Sequence, residues 1–401
     1  MDIEDSPAEA EFRATVRAYI SAHRDELAPA GSTPMGNVEV FRRTQAVLHD
    51  GGLVGATWPA EFGGRGASPI EKVIIDQELA AARVPRLINW IGIGMCGPAI
   101  LVHGTREQAE RYLRPMLRAE EVWCQLFSEP GAGSDLAAVS SRAVRGGDGW
   151  RVTGQKVWTT GAQWCDYGIL LARTDPDAPR HRGLTMFVLD MKAPGVTVRP
   201  LREMTGEALF NEVFYDDVLI PDSDRIGAEG EGWAVAITVL MNERYTVGGD
   251  GSVYGAGPAA IASTVADRLP ELSPERRAAA LDEFAACWTE ALACRMTANR
   301  MLTALSQGRQ PGPEGSVGKL AAAQLLGRVA DLGLRLQGPD ALFGASADGD
   351  RTWQYIAAFS PGAALAGGTT EIMKNILGER VLGLPGEPRP GGARTPAATK
   401  G

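Results

Sequence analysis

The 401-residue chain predicts an α+β fold in which a β region separates two helical ones. Three observations carry that expectation. From about residue 8 to 120 the apolar residues follow helical spacing. From about 121 to 228 their period shortens toward two. From about 230 onward, long stretches dominated by helix formers return.

In the first region Phe12, Val16, Tyr19, Ile20 and His23 fall on one helix face, and the joint GGLVGATWPAEFGGRGASP interrupts the helical run. The second region contains GWRVTGQKVW, DYGILLART, GLTMFVLDM, GVTVRPL and NEVFYDDVLIP, which read as short strands punctuated by GGDG, TDPDAP and KAPG. In the third, Arg276 to Gln307 and Gly318 to Leu336 are rich in Ala, Leu and Arg. The expected boundaries are 1–120 (helical), 121–228 (β), 229–385 (helical) and 386–401, a tail too poor in apolar residues to pack and expected to be disordered.

Composition narrows the function. The formal charge is −9 and no basic run stands out, which argues against nucleic acid or an anionic membrane as partner. Cys96, Cys124, Cys165, Cys287 and Cys294 are odd in number, widely spaced and form no CxxC pair; buried thiols in a reducing compartment are the expectation. His23, His49, His103 and His181 lack metal-ligand spacing, so no metal is expected. The acidic, polar N-terminus does not resemble a secretory signal and no segment is apolar enough for a membrane span, so the expected location is cytoplasmic.

The most specific string is CQLFSEPGAGSDLA, Cys124 to Ala137. It reads as a strand ending at Glu129-Pro130 and entering a Gly-Ala-Gly-Ser loop. Two glycines let a ligand approach the backbone, and Ser128 and Ser134 offer hydroxyls. A tight turn with no ligand is the competing reading. The string KVWTTGA, Lys156 to Ala162, ends a strand with an indole and two hydroxyls, where Trp158 is either core or ligand contact.

Together with GGTTEIMKNILGERVLGLP, these strings resemble the signatures of the acyl-CoA dehydrogenase flavoproteins, over nearly the whole chain from Pro59 to Pro385. The resemblance implies an N-terminal helical domain, a middle barrel-like or sandwich β domain and a C-terminal four-helix bundle. It also implies non-covalent FAD between the β domain and the C-terminal helices, a homotetramer or heterotetramer, and an electron-transfer flavoprotein as acceptor. Carried over by position, Gln125, Leu126, Phe127 and Ser128 line the flavin ring, and Ser134 faces FAD or the thioester. Trp158, Thr159 and Thr160 flank the ring. Thr369, Thr370 and Glu371 meet the ADP half, just before a helix expected to start near Ile372, whose N-terminus suits pyrophosphate. Gln337 and Gly338 are the nearest match to a loop that reaches a neighbouring subunit's FAD.

α,β-Dehydrogenation of an acyl thioester needs a base for the α proton and donors for the thioester oxygen. Many family members carry the base where this chain has Gly367, which cannot abstract a proton, although its N–H remains available to the thioester oxygen. Val235, Val239, Glu243 and Val247 form one helical row, so Glu243 is a lone carboxylate on an apolar stripe, or else an exposed residue near a helix end. The branch of the family that includes isovaleryl- and long-chain-type enzymes has its glutamate on this helix directly before an arginine, with glycine or alanine at the other position. The pair Glu243-Arg244 with Gly367 fits that branch and implies Glu243 as base. Met241, Asn242, Arg244, Gly367 and Gly368 are the implied substrate contacts.

Two departures stand out. The usual Arg-x-x-Phe-Gly segment is missing, with Arg268 the nearest substitute, and the Gln337-Gly338 loop is incomplete. The alternatives are a partner-dependent subunit of a heteromeric enzyme, and a flavin oxidase or monooxygenase on the same fold.

Overall fold

The computed structural model describes residues 5–247, 258–306, 312, 315–342 and 353–386. The expected tail therefore lies, beyond Gly386, outside the described residues. The chain divides into two compact units, Met1–Asn242 and Glu243–Gly401.

The first unit opens with α1 (Pro7–Ala22), α2 (Val38–Asp50), α3 (Pro69–Ala81), α4 (Gly97–His103) and α5 (Arg106–Leu117). Three of these start with reciprocal caps, Ser6 with Glu9, Ser68 with Glu71 and Thr105 with Gln108. Each such pair satisfies two backbone N–H groups that the first turn leaves orphaned. α1 buries Val16 and Ile20, as its spacing predicts. Buried Glu78 of α3 accepts from Arg17 at 2.8 Å and from Arg13 at 3.1 Å, tying α1 to α3. Two buried amides then link helices to the first strand. Gln45 donates to Met116 O and Leu117 O, and Asn89 donates to Met116 O and Glu121 O while accepting from Trp123 N at 2.8 Å.

The strands are β1 (Trp123–Leu126), β2 (Arg142–Gly146), β3 (Gly149–Thr160), β4 (Tyr167–Arg173), β5 (Leu184–Asp190), β6 (Val196–Pro200), β7 (Phe210–Ile220) and β8 (Arg225–Ile226). They form one sheet in the order β6–β7–β3–β2–β4–β5–β8, with β1 pairing parallel to β4. Its core gathers Trp150, Val152, Leu170, Phe187, Val213 and Tyr215, against which Phe41 of α2 and Ile88 also pack. The five segments read as strands from their alternation are β3 to β7. β1 ends at Leu126, three residues before the expected Glu129, because Phe127 and Ser128 bond instead to β3.

Helix α6 (Gly232–Val247) starts against β5, where Gly230 N donates to Thr185 Oγ1 at 3.0 Å. The second unit contains α7 (Pro258–Arg268), α8 (Pro274–Ser306), α9 (Ser316–Gln337), α10 (Trp353–Leu365) and the short α11 (Thr370–Ile376). Ile261 and Val265 of α7, Cys287 of α8, Leu325, Val329 and Leu336 of α9, and Ile356 and Phe359 of α10 share one core, giving the expected four-helix bundle. Burial of each large apolar side chain there contributes about 1.5–3 kcal/mol.

Candidate active site

The Gly-Ala-Gly-Ser loop rests on a buried ion pair. Glu129 and Ala132 exchange backbone hydrogen bonds, both 3.0 Å, closing a tight turn through Pro130 and Gly131. The Glu129 carboxylate is buried and accepts from Ser140 N (2.6 Å), Ser140 Oγ (2.7 Å), Ser141 N (2.9 Å) and Lys156 Nζ (2.8 Å). Lys156, fully buried, also donates to Phe127 O at 3.0 Å, while Val157 N donates to Ser128 O at 2.9 Å. Burial alone would raise the Glu129 carboxyl, but Lys156, Ser140 and Ser141 bring it down to about 2. Burial pushes the Lys156 ammonium down to about 8, against the pull of Glu129. Both groups are therefore charged at neutral pH.

This anchoring brings the loop beside the end of β3. There the β3–β7 register shifts between Lys156 and Thr159, and Trp158 takes φ 61°. A non-glycine residue in the left-handed region is strained by about 1–3 kcal/mol. The bulge leaves the Trp158 indole 61% exposed, with its edge against Phe210. Buried Asn211 fastens the bulge, donating to Thr159 O at 3.0 Å and Leu209 O at 3.2 Å.

In the second unit, the turn between α10 and α11 runs beside Glu243. Gly367 has φ 67°, and a Cβ built on it would lie 3.4 Å from Glu243 Oε1. The Glu243 carboxylate thus lies beside the side-chain position that glycine leaves empty at 367. Gly368 has φ 97° and a Cβ there would meet Met373 Cε at 2.4 Å, so only glycine fits. Lys319 of α9, 2% exposed, donates to Ala364 O at 3.1 Å and Gly368 O at 2.5 Å, on either side of Gly367. Its proton affinity is lowered by burial and raised by Glu243 and Glu371. Ahead of Glu243 on α6, Val235 and Val239 are fully buried, and Glu243 itself is half-buried.

Three family descriptions match successive parts of the chain: acyl-CoA dehydrogenase N-terminal domain over residues 6–120, middle domain over 124–218 and C-terminal domain over 230–382. The acyl-CoA dehydrogenase IpdE1 of Mycobacterium tuberculosis is 36% identical over 94% of this chain and 98% of its own length. The chain belongs to the acyl-CoA dehydrogenase family. The acyl-CoA dehydrogenase FadE34 of the same organism is 40% identical over 92% of this chain, which spans only 49% of that protein. Among solved structures, the Tcur3481-Tcur3483 steroid ACAD matches with TM-score 0.80 and 25% identity, over 96% of this chain and all of that one.

As an acyl-CoA dehydrogenase family member the chain is of the oxidoreductase class, and the family cofactor is FAD. The residues present fit a flat ring held against backbone. Gly131 and Gly133 have no left-handed φ, and a Cβ at either would meet no atom within 4 Å. Neither conformation nor packing within the chain calls for glycine there, and the open space leaves the loop backbone accessible to a ligand. The exposed indole of Trp158 and half-buried Gln125, Ser128 and Thr160 border the same segment. Ser134 is exposed on the loop itself.

Other expected site residues are placed differently. Leu126 has no exposed surface and belongs to the sheet core, Thr159 is 1% exposed with its hydroxyl buried and without a hydrogen bond, and Phe127 is 4% exposed. α11 begins at Thr370, not near Ile372. Thr369 caps it by accepting from Ile372 N at 3.3 Å, which consumes one of the N–H groups expected for pyrophosphate. Glu371 lies exposed in its first turn, held below the usual carboxylate range by its own backbone N–H and the Thr369 side chain. Asn242 donates to Thr238 O at 2.9 Å, Met241 is half-buried, and the Arg244 side chain is outside the described residues. Gln337 ends α9 with Oε1 buried and without a hydrogen bond, and Gly338 follows as its cap at φ 58°. Arg268 pairs with Glu271 at 3.1 Å and Asp340 at 3.0 Å.

Sequence reasoning missed Lys319, Glu129 and Lys156. Lys319 was within reach: it shares a helical row with buried Ala323, Leu326 and Ala330, the same pattern that singles out Glu243. Among the described residues no helix is long and apolar enough to cross a membrane, and no cluster of His, Cys, Asp and Glu could hold a metal ion.

Proposed function

We propose that the chain removes the α and β hydrogens of an acyl-CoA or similar acyl thioester, with Glu243 as the base for the α proton. The observation that supports this most is the 3.4 Å approach of Glu243 Oε1 to the Cβ position of Gly367. Glycine at 367 leaves room for a carboxylate delivered from α6 to the place where other members deliver one from the turn. Gly367 N–H is a donor for the thioester oxygen, whose developing negative charge it stabilises. Met241, Asn242, Arg244 and Gly368 are proposed to contact the acyl chain or the pantetheine. Trp158 offers a flat face, and Gln125, Ser128, Ser134 and Thr160 offer polar contacts, to the isoalloxazine; Thr369, Thr370 and Glu371 serve the ADP half. When bound, FAD supplies a hydride acceptor for the β carbon.

Purified FAD-loaded protein mixed anaerobically with a panel of linear, branched and steroid-derived acyl-CoA thioesters tests the reading through bleaching of the flavin absorbance. The steroid thioester stands first in the panel because a steroid ACAD shares this fold at 25% identity. Failure of every thioester to bleach the flavin contradicts the proposal. Air oxidation of the reduced protein, with peroxide release, separates a dehydrogenase that hands electrons to an electron-transfer flavoprotein from an oxidase.

A second reading is a subunit that completes its FAD site only with a different partner chain. Arg268, the nearest substitute for the missing intersubunit arginine, is committed to Glu271 and Asp340. Gln337 and Gly338 are the only described part of the incomplete loop that match the family pattern. Substoichiometric flavin in the isolated chain, restored on mixing with a partner, supports this reading; full flavin content in the chain alone rejects it.

A further inference from the structure

We infer that Lys319 is a positioning residue for the proposed base: its ammonium braces the glycine turn beside Glu243 and places a fixed positive charge near that carboxylate. The inference rests on Glu243 being the base.

Lysine is almost never fully buried unless something compensates its charge. Lys319 is 2% exposed, on the buried face of α9 with Ala323, Leu326 and Ala330. Its hydrogen bonds reach Ala364 O at 3.1 Å and Gly368 O at 2.5 Å, the two carbonyls that bracket Gly367. That contact fixes the turn in which both glycines hold left-handed conformations. It thereby sets the floor on which the Glu243 carboxylate rests.

Two carbonyls need only donors, and a neutral amide would serve them at lower desolvation cost. The positive charge has a different use. Glu243 and Glu371 are the carboxylates that raise the proton affinity of Lys319. A charge–charge interaction is mutual, so the same field lowers the proton affinity of Glu243. A base must be ionised before substrate arrives, and a neighbouring positive charge favours the ionised form. Lys319 from α9 is a cation that interacts with Glu243, and Glu371 from α11 acts on the same ammonium. Arg244 adjoins Glu243 on α6, with its side chain outside the described residues.

The test is the pH dependence of anaerobic single-turnover flavin reduction by an acyl-CoA that bleaches the wild-type protein. Lys319→Gln keeps a donor for the turn and removes the charge; Lys319→Arg keeps the charge. The acid limb of the Gln variant should move up by about one pH unit, and the Arg variant should return it to within a few tenths. An acid limb in Lys319→Gln that coincides with wild type overturns the inference. So does equal slowing of the Gln and Arg variants at every pH, which marks a purely structural brace. If Lys319→Gln fails to fold, Lys319→Arg carries the test alone: an acid limb displaced by about one pH unit or more although the positive charge is kept overturns the inference. Rapid reduction retained by Glu243→Gln is a separate result that removes the base reading itself.

Discussion

Glu129→Gln perturbs the buried pair beneath the glycine loop, and its cost can be worked from the structure. The carboxylate accepts four hydrogen bonds, from Lys156, Ser140 N, Ser140 Oγ and Ser141 N. Breaking a buried pair by neutralising one member leaves an uncompensated charge, at about 3–5 kcal/mol. Burial opposes the Glu129 charge and Lys156 favours it, holding the carboxyl at about 2, while burial lowers the Lys156 ammonium to about 8, so the intact pair is worth less than the cost of breaking it. A carboxyl held lower in the folded chain stabilises the fold above its unfolded value. That contribution is complete above about pH 4.5 and is lost as pH falls toward about 2. Denaturant titration followed by tryptophan fluorescence, on wild type, Glu129→Gln, Lys156→Met and the double variant, measures both effects. Each single variant should lose about 3–5 kcal/mol. The double variant should lose less than the sum, because it buries no orphan charge. Flavin content should fall in both single variants, since the loop and Trp158 share this anchor. Single losses below about 1 kcal/mol, or strict additivity in the double variant, would refute the reasoning.

Three further outcomes follow from local geometry. Gly367→Ala places a Cβ 3.4 Å from Glu243 Oε1 at φ 67°, so it should cost about 1 kcal/mol of stability and slow flavin reduction at least tenfold, read by thermal unfolding and stopped-flow. Trp158→Gly relieves the φ 61° strain while removing an indole that is 61% exposed; stability should stay within about 0.5 kcal/mol of wild type while FAD affinity, measured by fluorescence titration of the apoprotein, falls. The five cysteines are free and buried, and burial raises the thiols of Cys96 and Cys165; a thiol reagent should modify none in the native protein within minutes and all five after denaturation.

What was legible in the sequence was what local pattern encodes. The three-four spacing of Val16 and Ile20 found the buried face of α1, and alternation found β3 through β7. What stayed hidden depends on partners distant in sequence. β1 stops early because Phe127 and Ser128 turn to residues of β3 about thirty positions on. Trp158 read equally well as core or contact; its exposure comes from a register shift against β7, which no single-strand pattern can show. The burial of Leu126 and Thr159 is set by the sheet around them, which the motif string alone does not show. Glu243 stood out as a carboxylate on a valine row, and the resemblance to the isovaleryl-type branch singled it out as the proposed base. Lys319 obeyed the same rule and went unnoticed among alanines and leucines.

The most direct measurement of the central claim isolates proton abstraction from oxidation. An acyl-CoA analogue that cannot lose a β hydride, deuterated at its α carbon, is incubated with FAD-loaded protein in ordinary water, and loss of deuterium is followed by mass spectrometry. Wild-type protein should wash out the label, and Glu243→Gln, still carrying FAD, should do so at least a thousandfold more slowly. Exchange at a near wild-type rate in the Gln variant would show that another group removes the α proton.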